Sequence, residues 1–360
     1  MIHDNSLPAM EGPVCPVPLH HTAQVVMGHG SGGKMTQEII EEIFYPHFSC
    51  LPLAAGNDFA AVGLPDTAML EGQLSISTDA HSVAPLIFPG GDIGKLAVCG
   101  TVNDVSMGGA LPLYLTASFI LEEGLSMNVL EQIVQSMQAS ALEAGVQIVA
   151  GDTKVVERGK ADGVFITTTG IGWIPGGCRI GGAEAQPGDK VLVSGNLGDH
   201  GIAVLAARGE LGFETAVQSD VAPLNHMIHA VLEAAPHTHV LRDPTRGGLA
   251  TTLNEIAHQS SVGILLDETR IPVQPAVQAA CEMLGFDPLY IANEGKLIAI
   301  VPAGEAPAAL EAMQHSKYGR QAAIVGEVTP TPEKRVLLRT TMGSNRILDV
   351  MAGEMLPRIC

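Results

Sequence analysis

Seven short apolar runs constrain the fold of this chain more than any other feature of its sequence. Each is rich in β-branched residues and is bounded by Gly, Asp or Pro, as buried strands are. The runs are residues 74–78, 113–121, 146–151, 164–174, 190–195, 297–301 and 322–328. Aromatic residues make up only 4% of the chain and Gly contributes 41 residues, so layered cores of small aliphatic side chains are predicted rather than an all-β sandwich.

Segments with helical spacing of apolar residues lie between these runs. The clearest covers residues 126–144, which follow a capping Ser and precede Gly145. The others are residues 36–44, 93–107, 223–234, 249–258, 275–283 and 307–315. Strands that alternate with helices predict a mixed fold of the α/β or α+β class.

A stretch rich in Gly and Pro, residues 174–189, divides the chain into two halves of similar size. Such punctuation is typical of a domain boundary. We therefore expect two αβ domains, at 23–178 and 187–340. Residues 1–22 are predicted to be an N-terminal extension, and residues 341–360 a flexible tail that carries Cys360.

The charge balance excludes two classes of partner. The chain has 19 Lys and Arg against 38 Asp and Glu, a formal charge of −19 that repels nucleic acid and anionic membrane surfaces. Its apolar runs are all shorter than the about 20 residues that a membrane helix needs. The first residues lack the basic lead and apolar segment of a secretory signal, so a cytoplasmic location is expected. The six cysteines form no C-x-x-C pair, which argues against a zinc knuckle.

A Gly-rich loop precedes the first predicted helix. It resembles a P-loop, but Met35 stands where a Ser or Thr hydroxyl is required, so we reject that interpretation. The loop can still wrap phosphate groups through its backbone N–H groups, or it can be an ordinary turn before a helix. The candidate phosphate-binding residues are Gly30, Ser31, Gly32, Gly33 and Lys34.

Four aspartates follow short strands or lie in Gly-bordered turns: Asp58, Asp79, Asp104 and Asp152. Each alone reads as a turn or N-cap residue. Together they are typical of a site where Mg²⁺ bridges the phosphates of a nucleotide. Lys154, two residues after Asp152, can add a positive charge to the same cluster. Considered alone, it is interpreted as a solvated surface lysine.

The second half contains two further candidate segments. Arg242, Asp243 and Arg246 stand with two glycines directly before a helix, which favours an anion site. The alternative is a plain capped helix in which Asp243 forms the turn. Glu294 lies at the mouth of the strand at 297–301, where a partly buried carboxylate can act as a general base.

The last residue of the chain, Cys360, is its most unusual feature. A prenylation signal places Cys four residues from the end, so that interpretation is excluded. A tail of a dozen extended residues carries the thiol up to about 40 Å, far enough to visit an active site. The other five cysteines read as inert packing residues.

Several long motifs resemble the HypE family of hydrogenase maturation proteins, the carbamoyl dehydratases. They are GHGSGGK, NDFAAV, FPGGDIGKLAVCGTVNDVSMGG, VQIVAGDTKVVERG, RDPTRGGLATTLNEIA, DPLYIANEGKL and the terminal LPRIC, and they span about residues 26–360. The resemblance implies the aminoimidazole ribonucleotide synthetase-like (PurM-like) fold. It also implies a homodimer formed through the N-terminal domains, with ATP bound at the domain and subunit junctions.

The resemblance further implies a reaction. Cys360 receives a carbamoyl group from the carbamoyltransferase HypF, ATP drives its dehydration to a thiocyanate, and the cyanide passes to iron on a HypC–HypD scaffold. By matching motif, Asp58, Asp79, Asp104 and Asp152 would hold Mg²⁺ and the triphosphate. Glu294 would be the base and Lys154 would stabilise the transferred phosphoryl group or the carboxamide oxygen. Lys34 and the Gly30–Gly33 loop would cover phosphate, and Asp243 and Arg246 would shape the pocket.

Two rival functions share part of this pattern. A small-molecule kinase or selenophosphate synthetase of the same superfamily would use the Asp and Gly loops but has no role for a terminal Cys. A metal or thiol carrier would use Cys360 but leaves the Asp cluster and Lys154 unexplained.

Overall fold

Two large β-sheets with helices packed against them, and a small third sheet of two short strands, form the described part of the chain. The computed structural model describes residues 23–30, 34–48, 72–209 and 215–350 of the 360-residue chain. The mixed αβ class predicted from the sequence is confirmed.

The strands and helices are numbered in chain order. The strands are β1 (Gly72–His81), β2 (Ile87–Phe88), β3 (Gly91–Asp92), β4 (Leu111–Glu122), β5 (Gln147–Val156), β6 (Val164–Pro175), β7 (Lys190–Val193), β8 (Val240–Arg242), β9 (Gly263–Asp267), β10 (Ile298–Val301), β11 (Ala323–Thr329), β12 (Arg335–Arg339) and β13 (Asn345–Leu348). The helices are α1 (Lys34–Ile39), α2 (Tyr45–His47), α3 (Ile93–Ser106), α4 (Met127–Ala144), α5 (Asp199–Arg208), α6 (Asn225–Ala234), α7 (Gly248–Ser260), α8 (Pro275–Leu284) and α9 (Ala306–His315).

All seven predicted strands and all seven predicted helical segments are present. The segment predicted as one helix at 36–44 is α1 followed by a π-helical turn, Ile40–Phe44. At the end of α4, Gly145 adopts φ 73°, a left-handed conformation that ends the helix as predicted.

The first sheet has the strand order β1-β6-β4-β5, in which only β4 and β5 are parallel. Helices α3 and α4 cover one face, where Leu96, Ile133 and Met137 are fully buried. The other face carries exposed apolar side chains, including Leu74 and Ile76 of the edge strand β1. This sheet therefore presents one packed face and one apolar exposed face.

The second sheet has the order β13-β12-β9-β11-β7-β10-β8. Helix α7 packs on one face, and α6 and α9 pack on the other. The predicted tail, residues 341–360, begins inside this sheet, because β13 pairs with β12 and buries Leu348 completely. The last ten residues, and the predicted extension 1–22, lie outside the described residues.

The two halves of the chain contact each other closely near β2 and α3. The N–H of Ser219 donates to the carbonyl of Pro89 at 2.8 Å, and a Cβ on Gly90 would come within 2.6 Å of the Ser219 carbonyl. The buried amide of Asn103 donates to the Ala222 carbonyl at 3.1 Å and accepts from the Leu224 N–H at 2.8 Å. These contacts fix how the two halves pack against each other.

Among the described residues, no helix combines the length and apolar character needed to cross a membrane.

Candidate active site

A polar cleft of about 590 Å³ opens between the two sheets. Strand β1, helix α3, the turn from β8 into α7 and the loop before β10 each contribute to its wall. Its lining includes Ser77, Asp79, His81, Gly100, Asp104, Arg242, Asp243, Thr245, Arg246, Glu255 and Glu294. Five predicted site residues therefore meet in one cleft: Asp79, Asp104, Asp243, Arg246 and Glu294.

Strand β1 presents alternate side chains to helix α3. Because successive residues of a strand point to opposite faces, Ser77, Asp79 and His81 share one side. The hydroxyl of Ser77 donates to Oδ2 of Asp104 at 2.9 Å, and Nε2 of His81 lies 3.2 Å from Oδ2 of Asp79. Burial opposes ionisation of Asp79, but the hydrogen bond and charge of His81 hold its pKa below the usual value.

Asp104 and Asp243 face each other from the two halves of the chain. Burial raises the pKa of both carboxyls, and their mutual repulsion adds to the rise at Asp243. The Asp79 carboxylate raises the pKa of Asp104 further. A cation placed among these three carboxylates would relieve their repulsion.

The donor set fits Mg²⁺, which takes oxygen ligands. No group of three metal-ligating side chains in the described part of the chain is close enough to form a complete metal centre. Mg²⁺ is often held by one or two carboxylates together with the phosphates of a substrate. One or two of the carboxylates of Asp79, Asp104 and Asp243, together with phosphate oxygens, suit such a shared site.

The turn that leads into α7 contributes Asp243, Thr245 and Arg246 to the wall of the cleft. Gly247 and Gly248 adopt φ 77° and 60°, and a Cβ on Gly248 would lie 2.6 Å from the Leu289 carbonyl. Only glycine fits this close left-handed approach. The unpaired N–H groups of a helix start attract anions, and Arg246 adds a positive charge beside them. Arg242 is paired with Glu255 of α7 at 2.6 Å.

Glu294 is only 7% exposed, and hydrogen bonds of its own N–H and of the neighbouring Asn293 hold its loop in place. The amide of the preceding Asn293 donates to the Pro244 carbonyl at 3.0 Å, which ties the Glu294 loop to the Asp243 turn. The Glu294 N–H donates to Oδ1 of Asp220 at 3.1 Å. The other oxygen of Asp220 lies 2.9 Å from Nζ of Lys296, and both side chains of this ion pair are buried.

Two predicted site residues, Asp152 and Lys154, lie away from the cleft of their own chain. Across the first sheet, Asp152 of β5 stands opposite Ser118 of β4, Ser118 opposite Thr167 of β6, and Thr167 opposite Ala80 of β1. Asp152 therefore lies on the same, exposed face of the sheet as Ala80. Asp79 points to the opposite face, and β5 stands three strand spacings, about 14 Å, from β1. Lys154, two residues along β5, is exposed on the same side as Asp152. Within one chain, neither joins the cleft.

The remaining predicted residues cannot be placed in the site. Ser31, Gly32, Gly33, Asp58 and Cys360 lie outside the described residues. Gly30 ends a short 3₁₀ turn, Met27–Gly30, and Lys34 begins α1. Their roles stay predictions.

Sequence reasoning missed His81, Ser77, Asp220 and Lys296. The alternation of Ser77, Asp79 and His81 along one strand is a signal that was available. Asp220 carries no such signal, because its partner Lys296 is 76 residues away and only the folded chain brings them together.

Three of the five cysteines predicted to be inert are described. Burial raises the pKa of the Cys99 thiol to about 12 and that of Cys281 to about 11. Burial also raises the pKa of Cys178. High thiol pKa values agree with a packing role.

Comparison with known proteins gives a family. The models of AIR synthase related protein, N-terminal domain and C-terminal domain, match residues 56–174 and 186–339. Carbamoyl dehydratase HypE of Cupriavidus necator is 54% identical over 339 residues, which cover 94% of this chain and 95% of that protein.

Two solved structures are similar to this one along most of their length. The crystal structure of hydrogenase maturation protein HypE in complex with ATP has a TM-score of 0.88 at 48% identity and covers 93% of this chain and 99% of that chain. A chain in the crystal structure of a HypE–HypF complex has a TM-score of 0.75 at 49% identity and covers 87% of this chain and 99% of that chain.

Proposed function

Because this chain belongs to the HypE family of AIR synthase related proteins, we propose that it is an ATP-dependent carbamoyl dehydratase of hydrogenase maturation. Its substrate is the S-carbamoyl group on Cys360, and its product there is the S-thiocyanate that supplies cyanide ligands to nickel–iron hydrogenase. The observation that supports the proposal is the cleft, whose wall combines three aspartates, the Arg246 that precedes α7 and the buried Glu294.

The chemistry requires the carboxamide oxygen to become a leaving group. Transfer of the γ-phosphoryl group of ATP to that oxygen achieves this, and loss of two protons from nitrogen then forms the nitrile. The oxygen leaves with phosphate, so the products are ADP, phosphate and the thiocyanate. No free water needs to be released.

Each step has candidate residues in the cleft. Asp79, Asp104 and Asp243 would hold Mg²⁺ against the triphosphate, and the N-terminus of α7 with Arg246 would bind phosphate oxygens. When bound, Mg²⁺ neutralises charge on the transferred group. Glu294 would take a proton from the carboxamide nitrogen, since it is a buried carboxylate at the cleft wall.

We infer a homodimer that joins the exposed faces of two first sheets. Leu74 and Ile76 are 50% and 64% exposed on this face, which favours burial against a second apolar surface. Asp152 and Lys154 lie on the same face at the opposite edge of the sheet. In such a dimer, Lys154 would act in the cleft of the partner rather than in its own.

Subunit complementation tests this assignment. Lys154→Ala and Glu294→Gln chains, each inactive alone, would be co-expressed with different tags. If Lys154 acts in the partner's cleft, random pairing restores about a quarter of the wild-type sites, because half of the dimers are mixed and each mixed dimer keeps one intact site. An inactive mixture of folded dimers would show that both residues serve the same chain's cleft.

The reaction itself is tested by the intact mass of the protein. After incubation with a carbamoyltransferase of the HypF type, carbamoyl phosphate and MgATP, we expect a mass equal to that of the carbamoyl adduct less one water. Cys360→Ala should carry neither group. ATP hydrolysis with the mass unchanged from the carbamoyl adduct would refute dehydration. Glu294→Gln is expected to bind nucleotide and stop at the carbamoyl stage.

A cytoplasmic location and transfer of cyanide to an iron-carrying HypC–HypD scaffold complete the proposal. Both rest on the family membership of the chain.

A further inference from the structure

His81 is a buried histidine in the wall of the cleft, and one of its ring nitrogens contacts Asp79. It is 6% exposed, and its Nε2 lies 3.2 Å from Oδ2 of Asp79. Among the residues that the structure describes, no group hydrogen-bonds to its buried Nδ1. A buried nitrogen without a partner is unfavourable for folding, so packing alone does not explain a histidine at this position.

The surroundings of the ring are shaped to let it reach Asp79. A Cβ on Gly100 of α3 would lie 3.1 Å from His81 Nε2 and 3.5 Å from Asp79 Oδ2. Any larger residue at position 100 would crowd the hydrogen bond. The absence of a side chain there keeps helix and strand close while the ring stays beside the carboxylate.

Hydrogen bonds on both oxygens hold the Asp79 carboxylate in one orientation. Asp79 also accepts a hydrogen bond from the Ala80 N–H at 3.0 Å, on Oδ1. An ionised carboxylate has only acceptors, so with Asp79 ionised Nε2–H of His81 is the donor to Oδ2. The two bonds, one on each oxygen, fix the rotation of the carboxylate and set which lone pairs face the cleft.

We propose that His81 is a positioning residue that orients the Asp79 carboxylate for Mg²⁺ bound with the nucleotide. Partners that hydrogen-bond to ligating carboxylates fix their orientation, and their loss weakens metal affinity. This inference rests on the proposed function, because it assumes that Asp79 meets Mg²⁺ in the cleft. The role is that of a residue acting through Asp79, not of one that touches the substrate.

The test uses full-length protein and binding of a non-hydrolysable ATP analogue, measured calorimetrically at increasing Mg²⁺ concentrations. His81→Leu removes the donor to Asp79, and we expect the Mg²⁺ concentration for half-maximal binding to rise about 10–100-fold. His81→Gln offers an amide N–H near the position of Nε2, and its Mg²⁺ requirement should return close to that of the wild type.

His200 supplies a matched control. It is fully buried, its Nδ1 lies 2.8 Å from the Ser219 hydroxyl, and its Nε2 has no hydrogen-bond partner among the described residues. It does not line the cleft. His200→Gln should therefore leave the Mg²⁺ requirement unchanged, even where it shifts the thermal midpoint.

An unchanged Mg²⁺ requirement in a folded His81→Leu protein would overturn the inference, as would a His81→Gln protein as impaired as His81→Leu. Failure of the wild type itself to bind the analogue with Mg²⁺ would instead refute the proposed function.

Discussion

Replacement of Lys296 by Met removes one partner of the buried ion pair behind Glu294. Lys296 and Asp220 have side chains that are 9% and 3% exposed, and their charged atoms are 2.9 Å apart. In the wild type, burial opposes ionisation of Asp220, but the Lys296 ammonium holds its pKa below the usual range. Without Lys296 the carboxylate stays buried without its cation.

The expected cost follows from that burial. Breaking a buried pair by removing one partner destabilises a protein by about 3–5 kcal/mol. The entropy of unfolding is about 2.1 cal/mol/K per residue, which for 360 residues gives about 0.76 kcal/mol/K. The thermal midpoint of Lys296→Met should therefore fall by about 4–7 °C.

The pH dependence identifies the cause. In the variant, burial without a cation raises the pKa of folded Asp220 above its unfolded value. A carboxyl with a raised folded pKa destabilises the fold at high pH and ceases to do so as pH falls toward the unfolded pKa. The difference in thermal midpoint between the wild type and Lys296→Met should therefore be larger near pH 8 than near pH 5. Burial has already raised the pKa of neighbouring Asp199 to about 6, and loss of Lys296 shifts it in the same direction.

The assay is thermal unfolding followed by circular dichroism at both pH values, with Asp220→Asn/Lys296→Met as the matched control. The double variant buries no unpaired charge and should recover most of the lost stability. A deficit equal at the two pH values, or a double variant no more stable than Lys296→Met, would refute the reasoning.

Three further predictions concern residues around the cleft and in the core. Asn254→Ala leaves the Leu348 carbonyl at the end of β13 without its 2.8 Å donor, so the free energy of unfolding measured in urea should fall by about 1–3 kcal/mol. Dehydration should slow, while nucleotide binding measured by calorimetry is retained. Gly295→Ala would place a Cβ 1.8 Å from the Asp220 carbonyl, so a loss of about 1–3 kcal/mol in the same unfolding assay is expected, together with reduced nitrile formation by intact mass. Cys99 and Cys281 should resist alkylation of the native protein near pH 8 and react after denaturation, as peptide mapping will check; rapid native labelling of either would contradict their burial.

The sequence was sufficient to predict the long strands and helices because their apolar spacing is unambiguous. It was insufficient for β8, which has three residues, and for β9, β12 and β13. Pairing partners distant in sequence stabilise these strands, as β12 does for β9, and a local apolar pattern does not report that pairing. Helix α5 was also not predicted, because it directly follows a segment with two glycines, 195 and 198, that resembles a loop.

The site was predicted in part for a similar reason. Asp79, Asp104, Asp243 and Glu294 carry local signals, a carboxylate next to a strand, a helix or a tight turn. Their convergence depends on how the two halves of the chain pack, which local patterns do not encode. The exposed position of Lys154 likewise depends on the strand order of the first sheet, which cannot be read from β5 alone.

The cleft carboxylates are held in place by their own neighbours in the chain. Asn103 precedes Asp104 and fastens α3 to the segment at residues 222–224 through two buried hydrogen bonds. Asn293 precedes Glu294 and fastens its loop to the turn that carries Asp243. In both pairs the amide is almost fully buried, which suits a role in the fold, while the adjacent carboxylate faces the cleft. At positions 103 and 104 the amide thus holds the two halves of the chain together, and the carboxylate beside it lines the cleft. Substitutions at the asparagines should therefore disturb the cleft without touching any ligand in it.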